Sequence, residues 1–236
     1  MARMSIPDLS SWPLCTYFLS RYLSKNSDPT NFPPDQFPQV FDRYEQVFEA
    51  AINVLRLPKE ALKGRSEFNF DSGDAANLEG GIAILRVVEA LRMEGFNNIR
   101  LIKPTKNASG ADLICDKNGQ NVCCEVKAIT KQSSGREGFF YEDQLYEKIL
   151  ESISKARIQL ATTSQEMQCT VTMFVCVVNW FAQSIYLGQP DYQHIVNKLE
   201  LDGEQESLKG IDAVLFVTKM GQRFLFLNEH GKCIDR

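Results

Sequence analysis

Gly110-Ala111-Asp112-Leu113-Ile114-Cys115-Asp116-Lys117-Asn118-Gly119-Gln120-Asn121-Val122-Cys123-Cys124-Glu125-Val126-Lys127 reads as a β-hairpin. Asn118-Gly119 is the strongest short-range hairpin signal, because a type I′ turn needs positive φ at both central residues. Ala111 to Cys115 and Asn121 to Ile129 supply strands rich in apolar and β-branched residues. A two-residue turn also fixes the register, so Asp112 faces Glu125. Directly opposed residues point to one face. Lys127, two positions beyond Glu125, shares that face, and Val122, Cys124, Val126 and Ala128 take the other.

Like charges placed opposite each other destabilise a strand pair, so the cluster of Asp112, Glu125 and Lys127 needs an explanation. Two stand side by side. Lys127 neutralises one acid in a structural salt bridge on a solvated face. Alternatively, the acids hold a divalent cation such as Mg²⁺, which takes hard oxygen ligands, often one or two carboxylates plus waters and substrate phosphates.

Upstream, Asp74 is an N-cap for a helix from Ala75 to Met93, with Leu78, Ile82, Leu85, Val88 and Leu91 at helical spacing. Glu79 sits beside that stripe. The helix dipole or simple solvation explains an acid in the first turns; a third carboxylate aimed at the metal explains it too. Gly80-Gly81 favours the second reading. Two glycines cost about 2 kcal/mol in a helix interior relative to Ala, and close approach of backbone or substrate accounts for them.

Asp112, Glu125-Val126-Lys127 and the helical Glu79 resemble the PD-(D/E)xK nucleases, the restriction-endonuclease-like superfamily. That family carries an acid on its second core strand, acid-x-Lys on the third and often a glutamate on the preceding helix. The resemblance spans roughly Asp74 to Val178. It departs at Ala111, where the family usually has proline, a position without a chemical role. The resemblance implies metal-dependent hydrolysis of DNA, as an endonuclease before an exonuclease, in restriction, repair or mobile-element biology. It implies Glu79, Asp112, Glu125 and Lys127 as catalytic residues, with Glu79, Asp112 and Glu125 holding Mg²⁺ and Mn²⁺ as a substitute. The helix after the acid-x-Lys strand often carries a Lys or Gln near the site, which maps onto Lys155 and Gln159. RNA is left open as substrate. The alternative is an inactive nuclease-fold domain that binds nucleic acid or a protein, and the intact set of four residues argues against it.

Charge supports a phosphate ligand. The net charge is −4, which argues against coating nucleic acid non-specifically. Yet residues 97–136 hold seven basic side chains against three acids, a local +4 that leaves −8 for the rest. Lys131 and Arg136, in the polar loop after the site strand, are candidate substrate contacts.

Composition removes other classes. There are seven cysteines and two histidines. No CxxC pair exists, so reduced cysteines in a cytoplasmic protein fit better than a disulfide framework or zinc site. A Ser-His-Asp triad and a Walker-type phosphate loop are both unsupported. No apolar run approaches the ~20 residues needed to span a membrane, and Pro7, Asp8 and Pro13 interrupt any signal-peptide core.

The element order predicts an α/β fold: an α/β/α sandwich with a central mixed β-sheet, a restriction-endonuclease-like core, plus an N-terminal helical extension. Residues 1–65 form the extension and its Pro-rich linker, and 66–236 the nuclease-like domain. Within the extension, Leu14, Phe18 and Tyr22 share a helix face, and a second helix runs from about Gln39 to Arg56. That helix docks on the core, binds a partner or forms a homodimer. Beyond the hairpin the sequence predicts a helix over Tyr141 to Ala161, strands over Thr170 to Asn179 and Ser184 to Leu187, a short helix from Pro190, and a last hairpin over Ile211 to Thr218 and Arg223 to Leu227.

Overall fold

A computed structural model describes residues 9–25, 37–65, 68, 75–102, 110–129, 142–178, 194–195, 197–199, 208–217 and 223–227. The expected strand Ser184 to Leu187 and loop residues Lys131 and Arg136 lie outside these. Among the described residues, six strands form one mixed sheet in sequence order: β1 (Asn97–Leu101), β2 (Leu113–Lys117), β3 (Gln120–Ile129), β4 (Val171–Val178), β5 (Ala213–Val217) and β6 (Arg223–Leu227). The pairs β1/β2, β2/β3 and β5/β6 are antiparallel, and β3/β4 and β4/β5 are parallel. The turn between β2 and β3 is the predicted one, with φ of 50° at Asn118 and 77° at Gly119. Leu113 pairs with Cys124 and Ile114 with Cys123, which is the register expected from a two-residue turn.

Alternation along the hairpin divides the interior into two cores. Leu113, Cys115, Val122, Cys124 and Val126 pack under helix α5 (Ala75–Met93), through Leu78, Ile82 and Leu85. Ile114, Cys123, Ile129, Phe174 and Cys176 pack under helix α6 (Glu142–Met167), through Leu145, Ile149, Ile153, Ala156 and Leu160. Each helix turns one apolar stripe to the sheet, as the 3.6-residue period requires. The result is the α/β/α sandwich.

The N-terminal helices join the first core. In α3 (Phe37–Leu55), Phe41, Tyr44, Phe48 and Ala51 are buried with the α5 residues. Two short helices, α1 (Pro13–Phe18) and α2 (Ser20–Lys25), follow each other with a break at Leu19. That break shifts the expected stripe: Cys15, Phe18, Leu19 and Tyr22 are buried, and Leu14 is only half-buried. Glu45 of α3 accepts the Leu14 and Cys15 N–H groups at 2.8 Å each, satisfying donors that a helix start leaves open.

Cys15, Cys115, Cys123, Cys124, Cys169 and Cys176 are free thiols. Burial pushes the Cys123 and Cys176 thiols up, which keeps them unreactive. No helix among the described residues is long and apolar enough to cross a membrane.

Candidate active site

The site forms where β3 outruns β2. The hairpin ladder ends at Leu113 opposite Cys124, while β3 continues to Ile129 with β4 beside it. At this step the chain leaves the strand, and the side chain of Asp112 takes over the ladder's work. The Val126 N–H donates to Asp112 Oδ2 at 2.8 Å. The Asp112 N–H still reaches Cys124 O at 3.0 Å. Asp112 is thereby fixed against the β3 edge, beside Glu125.

Glu125 is 1% exposed. Lys127 Nζ donates to its Oε1. The other oxygen, Oε2, is buried and has no donor among the described residues. Burial first, then the neighbouring Asp112 charge, push the Glu125 carboxyl up to about 8, and Lys127 pulls the other way. The Lys127 ammonium therefore offsets only part of the charge of two adjoining carboxyls, and a proton or a metal cation would each supply the rest.

Helix α6 completes the arrangement from above. Gln159 Oε1 accepts from Lys127 Nζ at 3.0 Å, while its Nε2 donates to Gly110 O at 3.1 Å. One turn further on, Thr163 Oγ1 accepts the Ala111 N–H at 2.7 Å, and Thr163 is 2% exposed. A Cβ at Gly110 would sit 3.3 Å from that oxygen. The residues just before Asp112 are thus stitched to α6 at two points, and Lys127 is held between β3 and the helix.

Asp112, Glu125, Lys127 and Gln159 come together as the sequence predicts. Lys155, one turn before Gln159, is exposed and pairs with Glu151 at 2.5 Å. Glu79 stands near the start of α5, the helix that covers the sheet face opposite the acids; its side chain lies outside the described residues. Among the described residues no group of three or more His, Cys, Asp or Glu side chains gathers. Two carboxylates are still a sufficient protein contribution for Mg²⁺, which keeps several waters and takes substrate oxygens. The orphaned Glu125 Oε2, on hard-ligand chemistry, fits that ion.

One feature went unanticipated, and one expectation holds for only half of its residues. Thr163 lies beyond the predicted helix end at Ala161, although its spacing of four from Gln159 places both on one face. The Gly80-Gly81 pair divides: a Cβ at Gly81 would lie 2.6 Å from Phe68 O, while one at Gly80 meets nothing within 4 Å. Close approach of the chain's own backbone explains Gly81 without any substrate.

No protein-family model matches the sequence, and no curated protein matches it. Among solved structures, the chain is similar to one in the CdiA-CT/CdiI toxin and immunity complex from Burkholderia pseudomallei, with a TM-score of 0.38 at 11% identity over 66% of this chain and 89% of that one. A likeness of that size carries no argument about what this chain does.

Proposed function

We propose that this chain is a metal-dependent endonuclease that hydrolyses phosphodiester bonds in DNA, with Asp112 and Glu125 holding Mg²⁺ and Mn²⁺ as a substitute. The observation that carries the reading is Glu125: a buried carboxylate beside a second acid, with Oε2 lacking a donor among the described residues. Burial of an uncompensated charge is expensive unless a cation or proton neutralises it. When bound, the ion supplies Lewis-acid polarisation of the phosphate and a more acidic water.

The chain's own groups do the rest. Asp112 is locked by the Val126 N–H, so its remaining oxygen is presented in one direction. Lys127 donates toward the site and stabilises negative charge growing on the phosphate oxygens. Gln159 holds the Lys127 ammonium in place, and Thr163 fixes the backbone that carries Asp112. Glu79 is the proposed third carboxylate, and Lys131, Arg136 and Lys155 are proposed phosphate contacts, in keeping with the local positive charge of residues 97–136.

Cleavage of linear, circular and branched DNA, with RNA in parallel, is the test, in Mg²⁺, Mn²⁺ or EDTA. Wild type is compared with Asp112→Ala and Lys127→Ala. Metal-dependent cleavage of the circular substrate, lost in both variants, is the expected result. Wild type that binds DNA without cutting it under any metal overturns the catalytic reading and leaves a binding module.

A further inference from the structure

Where α3 and α5 end against β1, the molecule holds a cleft of about 840 Å³, within the range of small-molecule sites. Arg56, Arg92 and Arg100 line it against one carboxylate, Asp116. The three arginines follow or belong to three separate elements and are exposed. Among the described residues, none of the three guanidinium groups has a hydrogen-bond or ion-pair partner. Asp116 accepts from Asn98 Nδ2, another residue of the cleft lining, at 2.6 Å.

Arginine near a helix C-terminus has an ordinary explanation in the helix dipole. It does not reach Arg100, which stands on a strand. Nor does Arg92 cap its own helix, because the carbonyls of Leu91 and Arg92 are already taken by the N–H groups of Phe96 and Gly95, at 3.0 and 3.2 Å. Arg56 is the most telling of the three. Its φ is 53°, the left-handed position after a helix, which glycine fills without steric penalty. The chain places a guanidinium there instead, at the rim of the cleft. Strained residues of this kind collect at ligand sites.

We propose that the cleft binds a small anion carrying two or more phosphates, of the size of a nucleoside diphosphate, through Arg56, Arg92 and Arg100. Guanidiniums match phosphate oxygens with paired, charge-assisted hydrogen bonds. The concave shape and the apolar wall from Leu55 and Ile99 fit a compact ligand. A nucleic-acid backbone is instead tracked by an extended basic groove or stripe. The cleft shares no residue with the cluster of Asp112, Glu125, Lys127 and Gln159, so this assignment stands apart from the cleavage reading.

Titration calorimetry on the full chain tests it, with pyrophosphate, ADP, adenosine and a short single-stranded oligonucleotide as probes. Pyrophosphate and ADP are expected to bind and adenosine not to. Arg56→Gly and Arg100→Ala should each weaken binding about tenfold or more, while Lys59→Ala, outside the cleft, binds as wild type. Arg56→Gly should also melt no lower than wild type, since glycine suits the backbone there. Absence of pyrophosphate and ADP binding, or undiminished binding by both arginine variants, overturns the proposal. So does an oligonucleotide that binds more tightly than ADP and is lost in both variants, an outcome that gives the cleft to a nucleic-acid backbone.

Discussion

The Asp112 carboxylate accepts the Val126 backbone N–H at 2.8 Å, so a side chain replaces the strand partner that β2 no longer offers. The same carboxylate has a structural duty and, in the proposed function, a chemical one, and two substitutions separate them. Asp112→Asn keeps an acceptor and relieves repulsion with Glu125; it should melt at or above wild type while losing cleavage. Asp112→Ala leaves the Val126 N–H without its acceptor and should be less stable than Asp112→Asn by about 1–3 kcal/mol. Thermal melts of the pair, beside cleavage rates, check both halves; equal melts would remove the structural duty.

Lys127 and Gln159 should differ in severity. Lys127→Ala removes the charge itself and is expected to lower the cleavage rate about 10²–10³-fold, in the range of losing one preorganised donor. Gln159→Leu removes only what positions the ammonium, so a smaller fall of about tenfold is expected, at unchanged metal dependence. Single-turnover cleavage over a Mg²⁺ series separates rate from metal affinity. Equal losses in the two variants would count against this division of roles.

Stability without metal should depend on pH through Glu125. Folded, its carboxyl is pushed up to about 8, against 4.5 when free. Between those values the folded chain keeps a proton that the unfolded chain has released. Its contribution is therefore fully present below about 4.5 and is lost as pH rises through about 8. Urea denaturation in EDTA at pH 5, 6.5 and 8 should show the decline, and Glu125→Gln should flatten it. A wild-type slope identical to that of Glu125→Gln would assign the effect to other groups.

Thr163 offers a test of the α6 anchor. Thr163→Val leaves the buried Ala111 N–H unpaired and should destabilise by about 1–3 kcal/mol. Thr163→Ser keeps the hydroxyl and should retain most of the stability. Cleavage should follow the same order, because Ala111 precedes Asp112. Indistinguishable melts for the two variants would mean that the anchor contributes nothing.

The two glycines of α5 should respond in opposite directions. Gly80→Ala meets open space and gains helix propensity, about 0.5–1 kcal/mol. Gly81→Ala would drive its Cβ against the backbone carbonyl of Phe68, 2.6 Å away, with an expected loss of about 1–3 kcal/mol. Chemical denaturation of both variants reads the difference directly.

The hairpin was legible because several local signals agree: Asn118-Gly119 dictates the turn, and alternation then assigns every side chain to a face. Gln159 was legible only through the family resemblance, which places a Lys or Gln on the helix after the site strand. Thr163 was hidden by the run Thr162-Thr163-Ser164, whose hydroxyls argue against continuing a helix. In the structure Thr162 Oγ1 back-bonds to Ile158 O at 3.0 Å, Ser164 Oγ donates forward to Cys169 O at 2.9 Å, and helix α6 runs on to Met167. The glycine pair misled for a related reason: sequence shows that a close approach is needed, and only packing shows what approaches. The arginine cleft had no sequence signature, since Arg56, Arg92 and Arg100 are gathered by tertiary structure alone.

Glu125 also bears on how this chain can change over generations. An interior carboxylate with one oxygen unpaired among the described residues costs stability unless a proton or an ion neutralises it, and a single step to Gln or Leu would relieve that cost. Mutation alone, acting on a lineage that had abandoned cleavage, would erase the acid early and leave the sandwich sturdier. On the proposed function, descendants that still carry an acid opposite Asp112 are the ones in which its chemistry remains under selection.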